Sequence, residues 1–231
     1  SLTNFYLPLG VAPNFLINGI NYTIPMAIEE SSVIAAASKS AKFWASRGGF
    51  KANVIGTEKI GHVHFLFKGN SEKLNLFFKE KTQSLLDSTS SITKNMRNRG
   101  GGIKRIMLID KTDLMQEYFQ LYLTFETEDS MGANFINSCL EQIAKKLQAE
   151  ALEYDYFNEE EKQIEIVMSI LSNYVPRCIV HASVNCPIKN LEETDGLNSQ
   201  TFAKKFIRAV QIAQKEPYRA VTHNKGIMNG V

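Results

Sequence analysis

From residue 58 to residue 173 the chain switches between two hydrophobic periods in one fixed order, and that order restricts the fold more than any other feature. His62–Lys68 alternates and is rich in β-branched and aromatic residues, the pattern of a strand. Glu72 to about Met96 carries helical spacing, and Gly100-Gly101-Gly102 breaks it. Ile103–Ile109 and Tyr118–Thr127 read as strands, the second with Phe119, Leu121, Leu123 and Phe125 on one face. Met131 to about Leu152 reads as a helix with Asp129 or Ser130 as N-cap, and Ile164–Ile170 as a strand. The order β-α-β-β-α-β is that of the split βαβ, or ferredoxin-like, unit.

The flanking segments are expected to belong together. Residues 5 to 25 read as short strands and turns, with Asn18-Gly19 as a hairpin turn. Glu29 to about Arg47 reads as a helix. Val33, Ala36, Ala37, Ala41 and Trp44 recur at helical spacing, Ala35-Ala36-Ala37 allows close packing, and Gly48-Gly49 ends the element. After the central unit come a strand at Cys178–Asn185, a loop, and a helix from about Thr201 to Lys215. The expected fold class is α+β: a ferredoxin-like small domain at 58–173, inserted into an incomplete α/β large domain made of 1–57 and 174–231.

Composition narrows the function classes. A hydrophobic fraction of 44% and a charged fraction of 22% are ordinary for a globular protein. The net charge of +2 gives no strong general pull toward nucleic acid or membrane. No run of eighteen apolar residues is present and no signal segment opens the sequence, so a cytoplasmic protein without membrane contact is expected. The three cysteines, Cys139, Cys178 and Cys186, are odd in number and lack CxxC spacing, which argues against a disulfide framework and against zinc. His62 and His64 share one face of a strand, but no further ligands accompany them, so no metal site is expected. The chain lacks an initiator Met and stops at Gly230-Val231, in what reads as the opening of another element; a fragment is the expectation.

Four stretches carry candidate chemistry. Asn224-Lys225-Gly226-Ile227-Met228-Asn229-Gly230 sets a lysine between two asparagines. Its plain reading is a polar turn, while its functional reading is a cation held against a developing oxyanion. Pro25–Ser32 places Glu29 and Glu30 at a helix start, where carboxylates suit the dipole; a catalytic role needs one of them buried and poised to give up a proton. Glu128–Asn134 runs from a strand end into a helix with Gly132 in the first turn, so free N–H groups there suit a phosphate and an acidic neighbour suits ribose hydroxyls. The run from Lys94 through Arg97, Arg99 and Lys104 to Arg105 has no acidic residue; it reads as a solvated helix end or as a neighbour of cofactor phosphates. The Rossmann fingerprint, the P-loop and the GxSxG elbow are all missing.

Taken together, several stretches resemble the class II, bacterial-type 3-hydroxy-3-methylglutaryl-coenzyme A reductases. They are Leu7–Ala12, Ile17–Tyr22, Pro25–Glu30 with Ser32 and Ala35–Ala37, Asp129–Asn134 beside that family's D-A-M-G-A-N motif, Ile170–Asn173, and Arg219–Gly230. They span nearly the whole chain in the family's order. The resemblance implies NADH- or NADPH-dependent reduction of HMG-CoA to mevalonate and CoA by two hydride transfers, in a homodimer or higher homo-oligomer with an interfacial active site. It implies Glu30 as proton donor and Lys225 as the catalytic lysine. Ser32, Arg219 and Asn229 would hold the HMG moiety, with Arg219 on its carboxylate. Asp129, Met131, Gly132, Ala133, Asn134 and Asn173 would bind the cofactor.

Three departures qualify the match. Ser130 replaces the motif's alanine, a small change for the turn. Glu128 adds negative charge beside the ribose, which would repel a 2′-phosphate unless the basic run offsets it, so the choice between NADH and NADPH stays open. The family's catalytic aspartate and histidine would lie past residue 231, and the first part of its coenzyme A motif before Leu7, so this stretch alone is expected to turn nothing over. The alternative is an RNA-recognition module, which shares the β-α-β-β-α-β order. Its third strand should carry a basic-glycine-aromatic pattern; Tyr118–Thr127 has aromatics at 118, 119, 122 and 125 but neither glycine nor basic residue.

Overall fold

A computed structural model describes residues 2–191 and 196–230. Residues 192–195, within the expected loop, and Val231, expected to open a further element, lie outside the described residues. The chain divides into two units: unit 1 is Ser1–Asn53 with His181–Val231, and unit 2 is Val54–Val180.

Unit 1 begins with a hairpin. β1 (Leu9–Ile17) and β2 (Ile20–Ala27) pair antiparallel, with Ile17 opposite Ile20 and Leu9 opposite Ala27. Asn18 and Gly19 have φ of 50° and 84°, the two positive values that a twist-matched two-residue turn requires. Asn18 also ties down the chain after the next helix: its side chain donates to the Ala52 carbonyl at 2.9 Å and accepts from the Ala52 N–H at 3.0 Å. That helix, α1 (Ser31–Ala45), lies on β1, where Ile34 fills the space left by Gly10. The chain leaves unit 1 along β3 (Lys51–Thr57) and returns along β8 (Cys178–Ser183), and these two strands are hydrogen-bonded neighbours. A single 3-10 turn at Ile188–Asn190 precedes α5 (Ser199–Lys215), capped by Asn198, and α6 (Pro217–Met228).

α6 corrects the reading of Asn224–Gly230 as a polar turn: residues 224–228 are helical and Asn229 is the C-cap. The reason lies upstream. Pro217 sits at the first helical position, where its missing N–H costs nothing, and the Glu216 carboxylate accepts from the N–H groups of Tyr218 (3.1 Å) and Arg219 (2.6 Å). A proline that looks like a stop thus starts a helix.

Unit 2 holds the main core. β4 (Lys59–Leu66), α2 (Ser71–Asp87), α3 (Ser90–Asn98), β5 (Gly102–Asp110), β6 (Tyr118–Glu126), α4 (Ala133–Leu152) and β7 (Glu165–Leu171) build a mixed α+β body. The sheet order is β5-β6-β4-β7, and all three pairings are antiparallel. Alternate residues of β4 and β6 point inward: Val63 faces Leu121 and Phe65 faces Phe119 in register, all four buried. α2 and α4 add Leu74, Phe77, Leu85, Ile136, Leu140, Ile143 and Leu147 to one continuous cluster.

The single helix expected over 72–96 is two helices. Ser88 and Thr89 turn their hydroxyls back onto the carbonyls of Leu85 and Leu86, at 2.6 and 2.7 Å, and the ladder breaks there. The apolar spacing continues across the break, so periodicity does not reveal it. At α4 the expected Asp129 or Ser130 cap is replaced by Gly132, and no side chain caps this helix.

Candidate functional site

The turn before α4 is built from short bonds within Thr127–Gly132. The Thr127 hydroxyl donates to the Ser130 carbonyl at 2.6 Å, and the Ser130 hydroxyl donates back to the Thr127 carbonyl at 2.7 Å. Glu128 is held at φ 51° and Gly132 at φ 74°. A Cβ on Gly132 would sit 2.5 Å from Thr127 Cγ2, so both the backbone angle and the space require glycine. The first helical bond runs from the Ile136 N–H to the Gly132 carbonyl at 2.9 Å. The N–H groups of the first turn of α4 thus lack intrahelical acceptors and have no side-chain cap, an arrangement suited to an anion at the positive end of the dipole.

Around this turn the expected cofactor residues are accessible. Asp129, Met131 and Asn134 are exposed, and Gly132 and Ala133 are half-buried. Asn173 is exposed just beyond β7. Asn137, one turn into α4, accepts from the Leu171 N–H at 3.0 Å and so tethers the strand end two residues before Asn173. Glu126 closes the turn from below: it accepts from the Thr57 hydroxyl and from the Glu128 N–H, the latter at 2.9 Å. Burial pushes its carboxyl pKa up, but these bonds outweigh burial and hold it below the usual range.

The remaining candidate residues lie in unit 1. Glu30 occupies the N-cap position of α1 with extended backbone. The Ser32 hydroxyl donates to Glu30 Oε1 at 2.9 Å, so two expected site residues are joined directly. Both are exposed, as is Glu29, and the burial that a poised proton donor requires is not met within the described residues. Arg219, Lys225 and Asn229 all belong to the α6 region, the first two exposed and Asn229 half-buried. Lys225 and Asn229 stand four residues apart on one face; Arg219, six residues before Lys225, lies about 240° around the axis on another. Among the described residues, no hydrogen bond or ion pair joins Lys225 to Glu30.

Glu216 and Asn137 were not anticipated. Glu216 had a legible signal, an acidic residue directly before a proline. Asn137 had none, because its partner is a backbone amide 34 residues away. His62 and His64 do share a face, their rings 5.4 Å apart.

Comparisons with known proteins agree with one another. The family model described as hydroxymethylglutaryl-coenzyme A reductase matches residues 1–231. The 3-hydroxy-3-methylglutaryl-coenzyme A reductase of Archaeoglobus fulgidus is 31% identical over 229 residues, which is 98% of this chain and 48% of that protein. A probable 3-hydroxy-3-methylglutaryl-coenzyme A reductase of Borreliella burgdorferi is 30% identical over 224 residues, again 48% of its length. This chain spans about half the length of the curated relatives it matches. Among solved structures, the class II enzyme of Streptococcus pneumoniae bound to NADPH in open conformations aligns with a TM-score of 0.79 at 32% identity, covering 99% of this chain and 58% of that one. The RNA-recognition alternative is set aside by a family match across the entire chain, and two of the four aromatics it counted, Phe119 and Phe125, are in the core.

Proposed function

The chain belongs to the hydroxymethylglutaryl-coenzyme A reductase family, and from that premise we propose that the protein reduces HMG-CoA to mevalonate and CoA with NADH or NADPH. The observation that carries the reading is the glycine-only turn at Gly132, with free N–H donors at the start of α4 and exposed Asp129 beside it. Those features fit a dinucleotide, with the N–H groups against its phosphates and Asp129 on a ribose hydroxyl. Met131, Ala133, Asn134 and Asn173 complete its surroundings. The dinucleotide supplies the hydride when bound. Unit 2 is read as a ferredoxin-like cofactor domain, residues 58–173 at its heart, set into a substrate-binding domain formed by the flanking segments.

In unit 1, Lys225 is assigned to the thioester carbonyl oxygen, where its charge stabilises the oxyanion that forms. Glu30 is assigned as proton donor. The Ser32 hydroxyl already occupies Oε1, which leaves Oε2 to carry the proton. Arg219 is assigned to the free carboxylate of the HMG group, and Ser32 and Asn229 to its remaining polar groups. Both Glu30 and Lys225 are exposed, and each needs water excluded to act. A second copy of the chain is proposed to supply that cover, in a homodimer whose active site is interfacial. Among the described residues no helix is long and apolar enough to cross a membrane.

The test is stoichiometric. The full-length protein should consume two reduced nicotinamides for each CoA thiol released from HMG-CoA, and Lys225→Ala should abolish that turnover with the fold intact by circular dichroism. Unchanged turnover in Lys225→Ala removes the lysine from the reaction. Failure of wild-type protein to release CoA refutes the activity itself.

A further inference from the structure

We propose that Arg97 and Arg99 receive a 2′-phosphate, so that the protein prefers NADPH to NADH; this rests on the cofactor reading of the α4 turn given above. The first support is position. Gly102, the start of β5, pairs with Glu126, the end of β6, so the segment 97–101 and the turn 127–132 adjoin the same end of this strand pair. They touch there. A Cβ on Gly100 would lie 3.0 Å from Glu128 Oε1, and a Cβ on Gly101 would lie 2.5 Å from the Glu126 carbonyl oxygen. The triple glycine is the close approach that lets the basic segment lie against the cofactor turn.

The second support is charge. Arg97 donates to the Ser90 carbonyl oxygen at 3.2 Å, and Arg99 contacts Met96 Sδ at 3.8 Å; both partners are neutral. Among the described residues neither guanidinium pairs with a carboxylate, although the Glu128 carboxylate lies over the adjacent Gly100. From Lys94 to Arg105 there are five cations and no acid. Arg97 in the last turn of α3 and Arg99 at its C-cap both suit that helix's dipole, which leaves the outer donors of both guanidinium groups open to a ligand. A phosphate monoester on the ribose, carrying close to two negative charges, fits an exposed pair of guanidinium forks.

Glu128 acts in the opposite sense. Its carboxylate, carried on a left-handed backbone beside Asp129, repels a 2′-phosphate and sets how strong the preference becomes. The two signs of charge make the proposal testable in both directions.

Dissociation constants for NADPH and NADH are measured by quenching of protein fluorescence, with 2′,5′-ADP and 5′-ADP as competitors. Wild type should bind NADPH more tightly by about tenfold or more, the effect of one charge-assisted contact, and 2′,5′-ADP should displace it where 5′-ADP does not. Arg97→Gln/Arg99→Gln should bring the NADPH/NADH ratio close to unity, and Glu128→Gln should widen it. Equal affinity for the two dinucleotides in wild type, or an unchanged ratio in the arginine variant, overturns the proposal and leaves the cofactor site standing. Binding of neither dinucleotide by folded wild-type protein overturns the site and the proposal together.

Discussion

Unit 2 packs itself, whereas unit 1 carries the side chains proposed for the chemistry on surfaces it hardly packs. In unit 2 twenty residues form one buried cluster, and Phe65, Phe77, Phe119 and Phe125 are each buried to within 1% of full. In unit 1 the buried apolar residues among those described are Ala12, Ile28 and Ala41. α5 and α6 bury none, and Phe206, Ile207, Val221 and Met228 stand exposed along them. A helix owes most of its stability to the apolar face it buries. α4 meets that condition with seven buried apolar residues, while α6, which carries Lys225, does not meet it within the described residues. The two regions differ in where their order comes from. The turn before α4 is fixed by contacts of its own unit, whereas α6, the helix of Lys225, buries no residue among those described.

The strongest way to break this contrast is to cut one aromatic from each unit. Phe77 is fully buried, with its ring centroid 5.0 Å from Tyr154 and 4.9 Å from Phe157. Phe77→Ala should cost about 3–5 kcal/mol in urea denaturation. Phe206→Ala, at an exposed position of α5, should stay within about 0.5 kcal/mol. Equal losses would mean that unit 1 is packed after all.

Next comes the buried charge of unit 2. Glu150 accepts from the Ser84 hydroxyl at 2.6 Å and pairs with Lys81 at 2.7 Å and Lys146 at 2.8 Å. The hydrogen bonds from Lys146, Lys81 and Ser84 hold its pKa at about 2. Both lysines keep partial access to water, so Glu150→Gln should cost about 2 kcal/mol, less than a fully buried pair. The depressed pKa also gives a sign. This stabilisation is complete above about pH 4.5 and is lost as pH falls toward 2. A Glu150→Gln protein that still loses stability over that window to the same extent as wild type would place the acid transition elsewhere.

Gly132→Ala is a smaller stability change with a larger functional one. Alanine at φ 74°, its Cβ pressed on Thr127, should cost about 1–2 kcal/mol. Dinucleotide affinity should fall by more than that loss accounts for, because the turn that aims the α4 amides must shift. Unchanged affinity for NADPH would detach the turn from cofactor binding.

How much of this was legible beforehand follows from the range of the interactions. β4 and β6 were readable because each has one buried face: Phe119, Leu121, Leu123 and Phe125 announce that of β6 by simple alternation. Asn18-Gly19 was readable because a two-residue turn states its own chemistry. β3 was not anticipated, for its partner β8 lies more than a hundred residues away and Lys51–Thr57 alternates poorly. α6 was misread because Gly226 and the flanking asparagines mimic a turn, while the decisive Glu216 cap sits eight residues earlier. Of the candidate site, the Glu30–Ser32 bond spans two residues and follows from a helix start. The tether from Asn137 to Leu171 and the contact of Gly100 with Glu128 are tertiary, and no local pattern encodes them.

The finest test of the contrast is mild acid. His62 and His64 lie on the sheet face of unit 2 away from the helices, packed against Tyr118, Gln120 and Tyr122. His64 Nδ1 and the Tyr118 hydroxyl are 2.6 Å apart, and Gln120 Nε2 is 3.2 Å from the same nitrogen. Burial lowers both pKa values, and for His62 the charges of His64 and Lys111 lower it further. The unfolded chain therefore takes up protons before the folded one does. Stability is fully present above about pH 6.5 and declines as pH falls below it, the reverse of a histidine that gains an acidic partner. This is the smallest effect of the four, and it belongs to unit 2 alone. In urea titrations between pH 7.5 and 5.5, His62→Gln/His64→Gln should flatten the decline seen in wild type. A slope that survives the double substitution would assign the proton uptake to other groups, and the sheet face would lose its claim to be the acid-sensitive part of the better-packed unit.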